Sequence, residues 1–563
     1  MPGFSLFRRS SSLVANPTTQ GVTLRGLGSS GASRSLVLWD GIPLNDPFGG
    51  WVYWTRLAPD EVDRVEISRG ASTSLFGDRA MAGVISVFSP PVEPPHISLA
   101  YEGGNYDTQM ATASGSTVWR RFGFSATGRA LTTDGYYIVP ADVRGSVDTP
   151  AGVEAVTGNV RVDYLGGNQN VFVKFDALAE DRNNGTQLTH NSTSLGDIAV
   201  HYASNWSRDV LSVLAYHTEE QYHSTFSSVS SDRDFERLTS YQTVPSQAAG
   251  GAALWDHTGG WWNLLGGADA QWVEGWSTDR LVPTGVRVGG GTQWQEGTFV
   301  QGNVSHGPWR VFGGGRYQFT GQGGRTFFSP SGGLEYGKGR VRARGSVYRA
   351  FRAPTLNELY RQFRTGNTVT LANPSLIPET VFGAEAGVDI SGETRRLSLT
   401  AFRHSLDNLI TNVTLSSSPN AIIRQRQNAG AALVLGFEAN VRQRWKSFTA
   451  EASYLYADAQ YDSGPRIPQV PRNQGSAIVS WSVRRLAISA GVRAYSPQYD
   501  DDLNQYLLPG YATLMAVARA PIGKGFSASA SFENLLNHTY LVAFTPTPNT
   551  GQPFMWRLGL RWH

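Results

Sequence analysis

From about residue 96 to residue 563, apolar and polar side chains alternate with a period of two, in runs separated by Gly, Asn, Asp, Ser and Pro. Near the C-terminus, one face of such a run carries Phe554, Trp556, Leu558, Leu560 and Trp562. Further runs lie at 122–130, 397–402 and 486–495. Since successive side chains of a β-strand point to opposite faces, the pattern predicts strands throughout this region.

The composition of these runs favours a membrane barrel over a soluble β protein. Each run has about nine or ten residues, the length that a tilted strand needs to cross a bilayer. One face is apolar with aromatic residues near its ends, whereas the other carries Gly, Ser, Thr and Arg, as a wet lumen would. No apolar run reaches the roughly 18 residues of a spanning helix. A propeller or tandem sandwiches are the alternatives, but soluble β domains divide well before this length.

The size of the barrel follows from the residues that each strand uses. At about 21 residues per strand with its connection, the region predicts about 22 antiparallel strands. A barrel of that size has a lumen too wide for its own side chains to fill, so it needs a plug. We therefore predict an all-β transmembrane β-barrel at 92–563 and a partial N-terminal α+β plug domain at 1–91, inside the lumen. An independent soluble α+β domain is the alternative for 1–91.

Connections of unequal length predict a barrel with two different ends. The turn at 337–339 is short, whereas the long polar stretches lie at 132–155, 219–245, 273–297, 411–428 and 496–510. In outer-membrane barrels the long connections face outward and the short turns face the periplasm.

Charge and cysteine content exclude several classes of function. The chain has 48 Lys and Arg against 45 Asp and Glu, so its surface is not that of a nucleic-acid-binding protein. It has no cysteine, which excludes disulfides, zinc–thiolate sites and cysteine nucleophiles. A G-x-G-x-x-G sequence at 26–31 precedes strand-like rather than helical sequence, which favours a tight loop over a dinucleotide site. Catalytic motifs are also lacking, so we predict a protein that is not an enzyme and uses neither cofactor nor metal.

Residues 17–91 resemble the later part of the plug of a TonB-dependent receptor. The resemblance rests on LRG at 24–26, VLWDGIPLNDPFGG at 37–50, VDRVEISRG at 62–70 and SLFGDRAMAGVISV at 74–87. In the barrel region the matching motifs are YRAFRAPTLNELY at 348–360, NPSLIPET at 373–380, GFEANV at 436–441 and ENLLNHTY at 533–540. On these motifs the chain is identified as a member of the TonB-dependent outer-membrane receptor family.

The resemblance implies a receptor in the outer membrane of a Gram-negative-type bacterium. Such a receptor binds a scarce nutrient, for example a ferric siderophore or cobalamin, and imports it with energy relayed by TonB. The implied partners are a TonB-type energy-coupling protein at the periplasmic face, a small nutrient ligand and outer-membrane lipid, without nucleic acid. Two alternatives are a passive porin-like or adhesin barrel with a vestigial plug, and a soluble glycan-binding or hydrolytic protein.

Family members begin with a signal peptide, a TonB box and an earlier part of the plug. Residues 1–14 already resemble mid-plug sequence. We therefore expect this chain to lack those three segments, and to bind ligand without driving uptake on its own.

The resemblance also implies a contact between plug and barrel. In this family, arginines of the LRG-like and SRG-like plug motifs meet glutamates on the barrel wall, which here implies Arg25 and Arg69 against Glu385 and Glu438. A planar guanidinium fork suits such a contact because it engages carboxylates bidentately. The alternative is that these residues are ordinary charges of the lumen.

Ligand contacts are expected on two outward segments of the plug. The first, 28–34, contains Ser29 and Ser30. The second, 45–54, contains Phe48, Trp51, Tyr53 and Trp54 around two glycines. Rigid aromatic rings offer a large contact area at a low entropic cost. The alternative is that these aromatic side chains pack against the inner barrel wall, with specificity set mainly by 219–245 and 496–510.

Overall fold

A computed structural model describes residues 3–7, 9–28, 30–92, 94–321, 324–418, 421–544 and 547–563. In this part of the chain, 22 strands close into one barrel. The last barrel strand, Met555–Trp562, pairs antiparallel with the first, His96–Gly104, and completes the ring. The prediction of an all-β barrel of about 22 strands with an N-terminal plug is confirmed.

The barrel strands follow one another as an antiparallel meander. In chain order they are His96–Gly104, Thr108–Trp119, Phe122–Tyr136, Asp148–Leu165, Gln169–Thr186, His190–Trp206, Asp209–Val229, Glu236–Thr258, Trp262–Leu281, Val286–His306, Trp309–Thr320, Arg325–Lys338, Val341–Arg352, Glu379–Ser391, Arg395–Asp407, Ala432–Trp445, Phe448–Tyr461, Asn473–Val483, Leu486–Tyr495, Tyr511–Gly523, Phe526–Glu533 and Met555–Trp562. The longest connections all leave the same end of the barrel, which we call the outer end.

Several outer connections have structure of their own. A four-stranded sheet of Phe363–Thr365, Thr368–Leu371, Ala421–Asn428 and Ile410–Ser418 stands above the rim, next to the helix Leu356–Tyr360. Two shorter strand pairs are Gln498–Tyr499 with Leu507–Leu508, and Leu541–Ala543 with Asn549–Thr550.

The plug contains a two-stranded sheet and a four-stranded mixed sheet, which lie inside the lumen. Its strands are Phe4–Leu6, Val22–Leu24, Ser35–Trp39, Ile42–Pro43, Arg64–Arg69 and Gly83–Phe88. Its helix is Thr73–Phe76, and its 3₁₀ turns are Pro17–Thr19, Trp54–Arg56, Pro59–Glu61 and Asp78–Ala80. Ser35–Trp39 pairs in parallel with Gly83–Phe88, which also pairs antiparallel with Arg64–Arg69. Because the central strand is covered on both faces, every residue of Ser35–Trp39 is buried.

Strand length departs from the predicted nine or ten residues. Met555–Trp562 has 8 residues and Glu236–Thr258 has 23. Although 132–155 contains a connection at 137–147, most of 219–245 and 273–297 belongs to strands, so the prediction of long loops in these two regions is wrong. Antiparallel pairing continues in these regions as far as Val229 opposite Glu236, which satisfies backbone groups that a loop would leave to water. The stretches 411–428 and 496–510 do connect barrel strands, and 337–339 is a short turn.

The outward side chains form an apolar belt between two rings of aromatic residues. Near the short turns the exposed rings are Trp119, Phe122, Trp206, Trp255, Trp309, Trp445, Phe448, Phe526 and Trp562. Towards the outer end they are Tyr241, Trp276, Trp294, Tyr317 and Phe328. Such girdles mark the two interfaces of a membrane.

Among the described residues, no helix combines the length and the apolar character that a membrane crossing requires.

Two apolar clusters join the plug to the inner barrel wall. In one, Leu24, Leu27 and Met81 of the plug pack with Leu455 and Ala457 of the barrel. In the other, the plug segment 45–54 packs with wall residues that include Tyr222 and Val273. Burial of this apolar surface holds the plug in the lumen, and the polar contacts described below determine its orientation.

Candidate functional site

The structure brings together the two plug arginines and the two wall glutamates named above. Nη1 of Arg25 lies 2.5 Å from Oε1 of Glu385, and its Nε lies 3.1 Å from Oε1 of Glu438. Nη1 of Arg69 lies 3.0 Å from Oε2 of Glu438. Arg25 and both glutamates are almost fully buried, so these contacts are shielded from water and salt.

Local backbone geometry aims Arg25 at the wall. The residue follows the strand Val22–Leu24 and has a φ of 54°, in the left-handed region, where few residues other than glycine occur. Its backbone N–H donates to the carbonyl of Gly3, 2.9 Å away. Burial alone would lower the pKa of the Arg25 guanidinium, but Glu385 and Glu438 raise it above its usual value. The group is therefore a permanent cation between two carboxylates.

A second contact between plug and wall was not singled out from the sequence. Arg34 of the plug donates through Nε and Nη2 to both carboxylate oxygens of Glu379, at 2.9 and 3.0 Å. Glu379 also accepts from Arg352, which donates in turn to Glu358 at 2.8 and 3.0 Å. Three of these residues, Arg352, Glu358 and Glu379, lie in the two mid-barrel motifs at 348–360 and 373–380. Membership in these motifs is the sequence feature that could have identified them as contact residues.

Further polar contacts fix the plug at its other edges. Lys174 of the wall donates to Asp40 at 3.0 Å and lies 3.1 Å from the centre of the Trp39 ring. Further plug-to-wall contacts include Arg56 with Asp197, Thr55 with Glu180, Asp78 with Gln295 and Asp60 with Arg561. These wall partners lie on four different barrel strands, so the plug is held on several sides.

A cavity of about 210 Å³ lies between the plug and the outer connections. We call it the vestibule. Its floor includes Ser30, Gly31 and Ala32 of the first predicted ligand segment, and its walls include residues of the outer sheet and of the helix Leu356–Tyr360. Ser29 lies outside the described residues.

The aromatic residues of 45–54 lie beneath this vestibule. Phe48, Trp51 and Tyr53 are buried in the cluster with the barrel wall, and none of them lines the cavity. Trp54 is half-buried and packs against Phe4, with ring centres 6.2 Å apart. Phe48, Trp51 and Tyr53 therefore match the wall-packing alternative, whereas Trp54 packs within the plug. Direct ligand contact by these four side chains stays a prediction.

This aromatic segment supports the outer connections from below. The carbonyl of Phe48 accepts from the backbone N–H of Asn357, 2.9 Å away, in the helix Leu356–Tyr360. The hydroxyl of Tyr53 donates to Glu220 at 2.6 Å. The ring of Trp51 lies 5.9 Å from the Arg361 guanidinium, which lines the vestibule. Residues of the cavity wall therefore contact the plug directly, so a movement of the wall would also move the plug segment 45–54.

No cluster of three or more His, Cys, Asp and Glu suited to a metal ion occurs in the part of the chain that the structure describes. The three aspartates at 500–502, in an outer connection, each accept hydrogen bonds from other protein groups. Asp500 accepts from the backbone N–H of Phe544, and Asp502 accepts from both the backbone and the hydroxyl of Thr414.

Two family models match the chain. The TonB dependent receptor-like β-barrel matches residues 103–535, and the TonB-dependent receptor plug domain matches residues 1–84. The vitamin B12 transporter BtuB of Photobacterium profundum is 20% identical over 556 residues, which cover 91% of this chain and 81% of that protein. The hemin receptor of Yersinia enterocolitica is 39% identical over 116 residues, covering 21% of this chain and 16% of that protein.

Solved structures share the whole architecture. The copper transporter OprC superimposes with a TM-score of 0.83 at 14% identity, covering 100% of this chain and 95% of that one. The siderophore receptor PirA of Acinetobacter baumannii gives a TM-score of 0.80 at 14% identity, with 100% and 94% covered. At this level of identity the likeness shows the fold. The named relatives are described as transporters and receptors.

Proposed function

Because the chain belongs to the TonB-dependent receptor family, we propose that it binds a scarce nutrient in the vestibule and imports it through the barrel. A ferric siderophore, cobalamin or a solute of similar size is the proposed cargo. The chain supplies binding and a change in the position of the plug, and it performs no covalent chemistry.

The shared lining of the vestibule carries this proposal. The floor belongs to the plug, at Ser30, Gly31 and Ala32, whereas the walls belong to the barrel and its outer connections. A bound solute would therefore contact both the plug, which must shift during import, and the barrel, which stays in place. Below the floor, the ion pairs of Arg25 and Arg34 with the wall must break or slide before a passage can open.

A passive porin-like or adhesin barrel with a vestigial plug is less well supported. A passive pore needs an open aqueous path, whereas this plug contacts the wall through apolar clusters and buried ion pairs. Breaking a buried pair is costly, so thermal motion alone opens such a passage rarely. An external source of energy explains the arrangement better.

Energy from a TonB-type protein at the periplasmic face is the proposed source. The proposed location is the outer membrane of a Gram-negative-type bacterium, with the apolar belt in contact with lipid. We further propose that 1–91 acts as the plug and 92–563 as the barrel.

The test is uptake from the native gene, expressed in a bacterium that lacks its own receptors for iron complexes and cobalamin. We expect accumulation of radioactive iron or cobalt from at least one complex, and loss of accumulation when TonB is deleted. Uptake that persists without TonB would contradict the proposal and favour a passive pore.

A further inference from the structure

The vestibule has a strong excess of positive charge. Among its described lining residues are five arginines, Arg233, Arg361, Arg364, Arg424 and Arg426, against a single acidic residue, Glu358. Two of these charges are already paired, since Arg233 donates to Asp148 and Glu358 accepts from Arg352. Within the part of the chain described here, no carboxylate forms a salt bridge with Arg361, Arg364 or Arg426.

Packing around an aromatic ring holds two of these arginines in place. The guanidinium carbons of Arg361 and Arg426 lie 5.3 and 5.2 Å from the centre of the Phe363 ring. Nε of Arg361 donates to Gln242 at 2.7 Å, and Nη1 of Arg426 donates to the carbonyl of Asn357 at 2.7 Å. Each guanidinium keeps further N–H groups for another acceptor. Because the side chains are already ordered, little entropy is lost when a ligand engages them.

Like charges at this spacing repel one another, and a ligand can relieve that repulsion. Burial lowers the pKa of the Arg426 guanidinium to about 10, and Arg361 and Arg424 act in the same direction while Glu358 opposes them. Burial also lowers the pKa of Arg364, with Arg237 contributing. The apo site therefore carries an unfavourable charge density that an anion would neutralise.

We infer that the vestibule selects a nutrient complex that carries net negative charge and presents carboxylate or catecholate oxygens to Arg361, Arg364 and Arg426. This inference rests on the proposed receptor function and names the chemical class of its cargo. Guanidinium groups bind such oxygens through paired, charge-assisted hydrogen bonds, which an uncharged complex forms only weakly. The charge of the site also attracts anions from solution before contact.

The test compares an anionic and a neutral iron complex, each with the purified full chain in detergent. The anionic probe is ferric iron with three 2,3-dihydroxybenzoate ligands, and the neutral probe is ferric iron with three acetohydroxamate ligands. Equilibrium dialysis with radioactive iron gives both dissociation constants. We expect the anionic complex to bind at least tenfold more tightly, and its affinity to fall as NaCl is raised.

Variants then assign the effect to the arginines. Arg364→Gln changes a half-buried side chain in an outer strand, so it tests charge with little risk to folding. We expect it to weaken binding of the anionic complex about fivefold or more and to leave the neutral complex unchanged. Arg426→Gln should behave in the same way, and Arg426→Lys should retain more affinity than Arg426→Gln. The matched control is Arg442→Gln, which removes one charge from an exposed pair with Glu451 far from the vestibule.

Equal binding of the two complexes, or an unchanged affinity in Arg364→Gln, would overturn the inference while leaving the receptor function intact. Binding of neither complex would overturn it too, and the uptake experiment then judges the receptor function separately. A folded barrel in each variant is verified by the different migration of unheated and heated protein in SDS.

Discussion

Arg34 of the plug and Glu379 of the barrel wall form two parallel hydrogen bonds in a space that water does not reach. The two donor–acceptor distances are 2.9 and 3.0 Å, and the side chains are 2% and 0% exposed. Arg352 continues the contact from Glu379 to Glu358, which lines the vestibule. The cavity wall and the plug core are therefore joined through four alternating charges.

Removing one carboxylate from this series should loosen the plug. We expect Glu379→Gln to lower the free energy of unfolding by about 3–5 kcal/mol, because Arg34 would keep a buried charge without a counter-ion and Arg352 would keep only Glu358. Urea unfolding in detergent, followed by tryptophan fluorescence, measures the change. Arg442→Gln, in an exposed pair, should change it by less than about 1 kcal/mol and serves as the control. Equal effects of the two substitutions would contradict this account.

Charge-reversal substitutions should reveal an energetic coupling between Arg69 and Glu438. Glu438→Arg places a cation beside both Arg25 and Arg69, so we expect it to impair folding and ligand binding. Adding Arg69→Glu restores one attraction but leaves Arg25 facing the new arginine, so the rescue should be partial. A double-mutant cycle on plug stability measures the coupling. Additive effects of the two changes would argue against an energetic contact.

Plug stability should depend on pH through Glu61. Burial raises the pKa of the Glu61 carboxyl to about 7 from its usual 4.5. The folded plug therefore binds a proton that the unfolded chain has released, and the free energy of unfolding falls as pH rises from about 4.5 to about 7. Above that window the destabilisation is complete and constant.

The substitution Glu61→Gln should remove this dependence. We expect the variant to be more stable than the parent at pH 8, by at most about 3 kcal/mol, and similar to it at pH 4. Calorimetry across this pH range measures the difference. Glu66→Gln, at an exposed carboxylate, is the control and should leave the pH profile unchanged. An unchanged profile in Glu61→Gln would show that another group titrates.

Substitution by alanine should affect protein stability differently at two glycines, Gly70 of the plug and Gly158 of the barrel. Gly70 has a φ of +83°, and a Cβ there would collide with Oε1 of Glu385. Gly158 faces outward from a barrel strand, and a Cβ there meets no described atom within 4 Å. We expect Gly70→Ala to cost about 1–3 kcal/mol of stability and Gly158→Ala to be close to neutral. A neutral Gly70→Ala would mean that the plug-to-wall contact adapts freely.

Trp51 should matter more for stability than for direct ligand contact. Its ring is 2% exposed and lies under Arg361, so Trp51→Ala removes packing and loosens one vestibule arginine. We expect a loss of about 3 kcal/mol or more in the free energy of unfolding, lower barrel yield, and weaker ligand binding by about 1 kcal/mol. Trp54→Ala, at a half-buried ring, should show smaller losses. A larger effect on affinity than on stability would instead indicate direct contact with ligand.

The local pattern of the sequence was sufficient for the architecture. Period-two alternation depends only on neighbouring residues, and it is the same whether a strand has 8 residues, as in Met555–Trp562, or 23, as in Glu236–Thr258. Strand number follows from the length of the patterned region, and the need for a plug follows from the size of the resulting lumen. The lengths of individual strands could not be predicted, because polar sequence such as 219–245 continues antiparallel pairing as readily as it forms a loop.

The polar contacts of the plug were decided by the tertiary structure. Arg34 and Glu379 lie 345 positions apart, and many other charged side chains alternate into the lumen with the same spacing. Which of them faces a given plug residue depends on the stagger of all the strands around the closed ring, and no short segment contains that information. The same holds for the aromatic segment 45–54. Aromatic side chains such as Phe48, Trp51 and Tyr53 suit both burial against a wall and contact with a ligand, so residue type does not distinguish the two roles. The sequence by itself determined a plugged barrel, and the closure of the ring decided which residues meet inside it.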